Sequence, residues 1–246
     1  AKNAGWLVAG RVLHMALAFL VNLLTARYLG PSNYGLVNYA ALYTAFFTSF
    51  ATLGLSSLLL KDFMDDPEGA GTTVGTAIAM RLLSSTLSAV SILAIVAAVD
   101  RGERLTMTVV ALYSMSLIFQ AFDTIQYWFQ SRLESKYATI ATSVGYIIVS
   151  FYKVLLLVLG KDVRWFAISN TIDYAVAAIV FLGLYKWRGG PRLHFSPAKG
   201  RALLRQSGSF ILCGLMVSVY NCTDRFMLKH LLDEASVGYY ATATSL

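Results

Sequence analysis

Arg11, Arg81 and Arg225, and Asp123, Asp173 and Asp224, stand inside long apolar stretches of the chain. An ionisable group at the centre of a bilayer costs at least about 2.5–3.5 kcal/mol, so it normally faces a wet cavity or a partner. A guanidinium can bond two anion oxygens at once, and it keeps its charge in a poorly hydrated place. The carboxylates can balance those charges or take up protons. This chemistry is binding and charge compensation, not bond breaking. Asp224 and Arg225 are adjacent and point in different directions on a helix, so each is expected to meet its own partner or water.

Weaker polar stripes accompany these groups at helical spacing. One helix carries Arg11, His14, Asn22 and Thr25; another carries Arg81, Ser84, Ser88 and Ser91. Ser116, Gln120, Asp123 and Tyr127 share a face, as do Thr142, Tyr146, Ser150 and Lys153. Asn170 and Asp173 mark a further helix, and Gly214, Ser218, Asn221 and Arg225 another. Serines in membrane helices commonly pack closely or bond their own backbone. A lone His14 reads as an interior hydrogen-bonded residue. Lys153 and Lys229 lie near helix ends and are expected to reach the headgroups. Tyr39, Tyr43, Phe46 and Phe50 form an aromatic stripe suited to packing.

Enzyme signatures are missing. There is no Gly-rich phosphate loop, HExxH, CxxC, Asp-x-Asp or nucleophile elbow. Asp65-Asp66 reads as part of a solvated turn. The expectation is a protein that is not an enzyme and uses neither metal nor cofactor. Cys213 and Cys222 lie about 13 Å apart along one helix and cannot pair with each other there.

The elements that position these groups are membrane helices. Of the 246 residues, 57% are apolar and only 13% charged, against about 25% charged in a soluble domain. Runs at about 5–28, 35–60, 74–98, 105–129, 137–159, 164–186 and 208–231 are long enough to cross a hydrocarbon core of roughly 30 Å. An eighth begins near Val237. No cleavable signal peptide is visible, since the first run is too long and no small-residue cleavage site follows it. The chain lacks an initiator Met and ends within an apolar run, so a fragment of a longer protein is expected.

Ten loop cations (Lys2, Lys61, Arg132, Lys136, Lys186, Arg188, Arg192, Lys199, Arg201, Arg205) fall on one side, against five (Arg27, Arg101, Arg104, Lys161, Arg164) on the other. The richer side should be cytoplasmic, which places the N-terminus and the basic linker there. The net charge of +7 is then largely this bias. Nucleic-acid binding would need a folded basic domain, and the sequence has none.

Residues 1–42 and 205–246 align without a gap at an offset of about 203 residues, the mark of an internal repeat. Gly5 falls on Gly208, Leu29 on Leu232, Gly35 on Gly238 and Ala40 on Ala243. Six helices separate the copies, so both enter the membrane in one direction, a parallel repeat. The expected fold is all-α, a polytopic transmembrane helical bundle. It comprises an N-terminal six-helix bundle at 1–187, a basic cytoplasmic linker at 188–207 and the first helices of a second, parallel-repeat bundle at 208–246. Pro197 to Gln206 should form a short amphipathic helix on the inner leaflet.

The turn ARYLGPSNYGLVNYA and the segment TDRFMLKHLLDEASVGYYATA resemble the two signature regions of polysaccharide flippases. These are the Wzx-type members of the multidrug/oligosaccharidyl-lipid/polysaccharide exporter superfamily, and the resemblance covers essentially the whole chain. It implies two bundles, a cavity between them and alternating access in the cell inner membrane. The implied cargo is an oligosaccharide on undecaprenyl pyrophosphate, moved to the outer leaflet for polysaccharide (O-antigen) synthesis. On this reading Arg11, Arg81 and Arg225 attract the pyrophosphate, while Asp123, Asp173 and Asp224 balance charge or couple to an ion. Membrane lipids and a polysaccharide polymerase or glycosyltransferase are the implied neighbours.

Other readings stay open. A multidrug/cation antiporter of the superfamily would favour an acidic cavity. Against it, Arg11, Arg81, Lys153, Arg225 and Lys229 outnumber Asp123, Asp173 and Asp224 within the helices. A peptidoglycan-precursor flippase is close by cargo. A membrane-embedded glycosyl- or acyltransferase would show transfer activity, and a structural scaffold would have little reason to keep charges at mid-membrane.

Overall fold

The computed structural model describes residues 2–100 and 102–244; the side chains of residues 2–11, 13, 14, 16, 17, 230, 234 and 244 lie outside that description. Arg11 and His14 therefore fall outside the described side chains. Helices and the turns between them make up the described chain, and no strand occurs among the described residues. Six of its segments are long and apolar enough to cross a membrane.

Helix α1 (Lys2–Ala51) consists of two limbs joined at Gly30, whose φ of 72° is left-handed. Glycine takes that conformation without a Cβ penalty, and Pro31 then suits the first position of the next helical limb. The second limb ends at Ala51, before Leu53 and Gly54, both at positive φ. The apolar run at 35–60 is thus interrupted, and α2 (Ser56–Asp65) is a separate short helix. Helix α3 (Ala70–Val99) is continuous.

The run predicted at 105–129 is segmented into α4 (Arg104–Ser114), α5 (Ser116–Gln120), a 3₁₀ turn (Ala121–Asp123) and α6 (Thr124–Ser131). Helices α7 (Ser135–Val158) and α8 (Val163–Trp187) follow. Asp162 caps α8 by accepting a hydrogen bond from the Val163 N–H at 2.8 Å, the usual use of Asp at a helix start.

Two buried clusters form the core. One gathers Leu36, Tyr39, Ile92, Val96, Val109 and Phe166 toward the end of the bundle that carries Glu103. The other gathers Leu59, Val74, Ile125, Phe129, Phe181 and Leu203 toward the linker end. Large apolar side chains also point outward, among them Leu83, Leu87, Phe151, Val158 and Ile179. Water would penalise such a surface, and hydrocarbon does not.

The linker is docked on α3. The His194 N–H donates to Gly71 O at 3.3 Å, and the Ser196 N–H donates to Thr76 Oγ1 at 2.9 Å. Gly71 and Gly75 make room: a Cβ on either would lie 2.4 or 2.5 Å from the Arg192 and His194 carbonyl oxygens. Ser196 caps α9 (Pro197–Leu231), with Pro197 at its first turn. The amphipathic segment predicted at 197–206 is not a separate element. It runs straight into the seventh apolar run, giving 35 residues of helix, about 52 Å at the usual rise. Nothing between Gln206 and Gly208 forces a break, since a single glycine is tolerated in a long helix.

Helix α9 runs antiparallel to the second limb of α1. The Ser49 and Ser218 hydroxyls lie 2.9 Å apart, and Cys222 Sγ lies 3.9 Å from Leu42 O. Helix α10 (Glu234–Thr244) packs on α1. Gly30 aligns with Asp233 in the internal repeat, and the chain breaks again there, between the end of α9 and the start of α10.

Candidate functional site: charged groups within and between the helices

The structure gathers three of the separately predicted residues into one row. Arg81, on the buried face of α3, is only 3% exposed. Its Nη1 donates to Thr124 Oγ1 at 3.1 Å, and Thr124 in turn donates to Ala121 O. Its Nε has no hydrogen-bond partner among the described residues. Asp123 ends the 3₁₀ turn beside Thr124 and lies within electrostatic reach of both Arg81 and Asp173. Asp173 stands on α8 where α7 comes closest: a Cβ on Gly145 would sit 3.0 Å from its Oδ1. Lys153 of α7 is its electrostatic partner.

The row therefore reads Arg81, Asp123, Asp173, Lys153. Its formal charges cancel, which lowers the cost of burying four charges in a helical bundle. The segmentation of the fourth span is what brings Asp123 and Thr124 to Arg81. Composition held no signal for that break. Lys153 does not simply reach the headgroups, as its place near a helix end suggests; it lines an internal cavity.

Asp224 and Arg225 part company, as their adjacency implied. Asp224 accepts a short hydrogen bond from the Tyr240 hydroxyl of α10 and a second from the Arg225 N–H at 2.8 Å. The half-buried Arg225 makes no ion pair among the described residues, and its Nε is buried without a partner. The expected continuous polar face of this helix is not all cavity lining. Gly214 and Ser218 are used for close approach to Ser49. Small residues serve helix contact in this way in membranes.

A second charged cluster was not anticipated. Lys229 Nζ lies 3.3 Å from Glu103 Oε2 and 4.0 Å from Asp100 Oδ1, and 4.5 Å over the Tyr39 ring. The Tyr39 hydroxyl donates to Asp100 Oδ2 at 3.0 Å. The Lys229 side chain is 9% exposed, so it does not reach out to the headgroups as its helix-end position suggested. The Thr106 hydroxyl, donating at 2.7 Å, and then the Lys229 charge hold the Glu103 carboxyl below the ordinary glutamate range. This cluster ties α9 to the loop between α3 and α4. It borders a cavity of about 640 Å³ that Asp233 and Ser32 also line. The only sequence hint was spacing: Lys229 follows Arg225 by one turn.

The fold defines a multi-spanning helical membrane protein that keeps charged groups inside its bundle. The whole chain, residues 1–246, matches the family model described as polysaccharide biosynthesis protein. The chain belongs to that family, as the resemblance of its two signature turns implied. No curated protein and no solved structure matches it.

Proposed function

We propose that the protein is a flippase that moves undecaprenyl-pyrophosphate-linked oligosaccharide across the inner membrane by alternating access. The linker end would be cytoplasmic, as the loop cations favour. The observation that carries this reading is Arg225. Its guanidinium lies in the first helix of the second half with a buried, unsatisfied N–H, and among the described residues it makes no ion pair, Asp224 reaching it only through its field. A buried donor without a partner is costly, and an anion that arrives during the cycle would satisfy it. Arg11 belongs to the equivalent helix of the first half and is proposed as a second pyrophosphate contact. Arg81 would support cargo less directly, because Thr124 and the Asp123 field already engage it. Asp123, Asp173 and Asp224 are proposed to balance charge or carry a coupling ion.

A cation antiporter would be favoured by an excess of carboxylates. The interior row of Arg81, Asp123, Asp173 and Lys153 has no such excess. The test is complementation. The full-length gene is placed in cells lacking a polysaccharide flippase, with surface glycan as the readout. Arg225→Ala should abolish export at normal protein level, and Arg225→Lys should reduce it in part. Unimpaired export by Arg225→Ala would defeat the pyrophosphate role.

A further inference from the structure

At the linker end of the bundle, one corner sets cations on aromatic faces. Arg132, just past α6, lies 4.8 Å over the Trp128 ring. Lys136, at the start of α7, lies 4.8 Å over the Tyr137 ring. Arg188, just past α8, lies 5.1 Å from the same ring and 5.9 Å from that of Trp187. Phe129 joins the two groups, stacking on Trp128 and on Tyr137. Glu134 pairs with Arg188. Arg132 and Lys136 are exposed and make no ion pair among the described residues. Three cations against one carboxylate leave the corner positive, and the rings hold the charges in place.

The two helix ends beside it close in the same way. The Glu134 N–H donates to Phe129 O at 2.9 Å and the Leu133 N–H to Gln130 O at 3.0 Å. The Gly190 N–H donates to Tyr185 O at 2.8 Å and the Gly189 N–H to Lys186 O at 3.2 Å. This closure holds one residue at positive φ, where glycine is favoured. Gly189 fills that place after α8, at φ 69°, but Leu133 fills it after α6, at φ 56°. Leu133 gains little packing in return, since it is 78% exposed, and the nearby Trp187 is 72% exposed. Trp187 ends one membrane span, and Leu133 lies two residues past the end of another. At that depth the apolar surroundings that would reward such side chains are the chains of the lipids. A soluble anion would answer the cations and strand Leu133 and Trp187; a phospholipid answers both.

We propose that this corner docks an anionic phospholipid of the leaflet at the linker end. Arg132, Lys136 and Arg188 hold its headgroup phosphate, and Leu133 and Trp187 lie against its chains. Basic sites between membrane helices recognise anionic headgroups in this way. The site does not depend on the transport role given to Arg225, so either can fail without the other.

The test uses the full-length protein in phosphatidylcholine vesicles. An equal mole fraction of either phosphatidylglycerol or phosphatidylcholine, brominated near the headgroup end of its chains, is included. Bromine quenches tryptophan at short range, so the quenching reports which lipid sits beside Trp187. Brominated phosphatidylglycerol should quench wild type more than brominated phosphatidylcholine does. Arg132→Gln with Lys136→Gln should abolish that excess. Lys61→Gln with Arg201→Gln removes two exposed cations elsewhere at the same end and should leave it. Trp187→Phe should remove most of the excess, which locates the lipid. Leu133→Gly suits the turn, so that protein should fold, and the excess should fall with the lost chain contact. The site is overturned by wild type showing no excess, or by an excess that survives Arg132→Gln with Lys136→Gln, Leu133→Gly or Trp187→Phe. An equal loss in the Lys61 and Arg201 control would mean diffuse attraction and would overturn it too.

Discussion

Gly35 and Gly238, which the alignment of residues 1–42 with 205–246 pairs, face each other. A Cβ built on Gly238 would lie 3.2 Å from the Gly35 N and 2.3 Å from the Pro31 carbonyl oxygen. Equivalent residues meet where a twofold relation places its axis, so this contact is where a parallel pseudo-twofold would pass. The two glycines let the turn after the first limb of α1 and the start of α10 touch through backbone.

Gly238→Ala should therefore push α10 off α1. Overpacking of this kind costs about 1–3 kcal/mol, and here the obstacle is backbone, which cannot swing aside. A Cβ on Gly183 of α8 meets nothing within 4 Å, so Gly183→Ala is the neutral control. Detergent-solubilised thermal unfolding compares the two. A Gly238→Ala protein as stable as wild type would mean the helices do not meet this way.

The Lys229 cluster predicts a pH response. The Glu103 carboxyl is held low by Thr106 and Lys229, so its contribution is fully present above the ordinary glutamate range. It is lost as pH falls through the lowered value in the folded protein. The midpoint of wild type should fall on acidification in that range, and Glu103→Gln should flatten that part of the curve. A curve identical in the two proteins would remove Glu103 from the account.

Lys229→Met tests the same cluster from the other side. It leaves Asp100 and Glu103 without their cation, so the contact between α9 and the α3–α4 loop should loosen. A cysteine pair placed at Thr106 and Leu232 reports on it by crosslinking yield. The yield should drop several-fold with Lys229→Met and be partly restored by Lys229→Arg. An unchanged yield would show that apolar packing alone holds this end.

Arg81 and Asp123 should behave as a coupled pair. Removing one partner of a buried charge pair is destabilising by about 3–5 kcal/mol, because the other charge is left uncompensated. Arg81→Met should therefore deplete the protein from the membrane, and Arg81→Met with Asp123→Asn should recover much of the loss. Quantitative immunoblotting of membranes reads both. Additive losses would mean the two groups are independent.

The bilayer class, the approximate place of most apolar helices and the turn at Gly30 were legible in residues alone, while the breaks after Ala51 and within residues 104–131 were not. Hydrocarbon imposes length and apolarity on any helix that crosses it, and a Gly-Pro pair announces a helix boundary. The alignment of residues 1–42 with 205–246 pairs Gly35 with Gly238, but that these two would touch was not in the pattern. That Asp224 and Arg225 would separate followed from their adjacency. What tertiary structure alone decided was who meets whom. Arg81, Thr124, Asp123 and Asp173 come from three different helices, and their meeting depends on a 3₁₀ turn that hydrophobic periodicity does not encode. Lys229 read as a residue at the edge of the membrane because its partners, Asp100 and Glu103, lie more than a hundred residues away. Charge pairing is a property of three-dimensional proximity. The sequence carries the charges, and only the packing of α9 against the first half chooses the pairs.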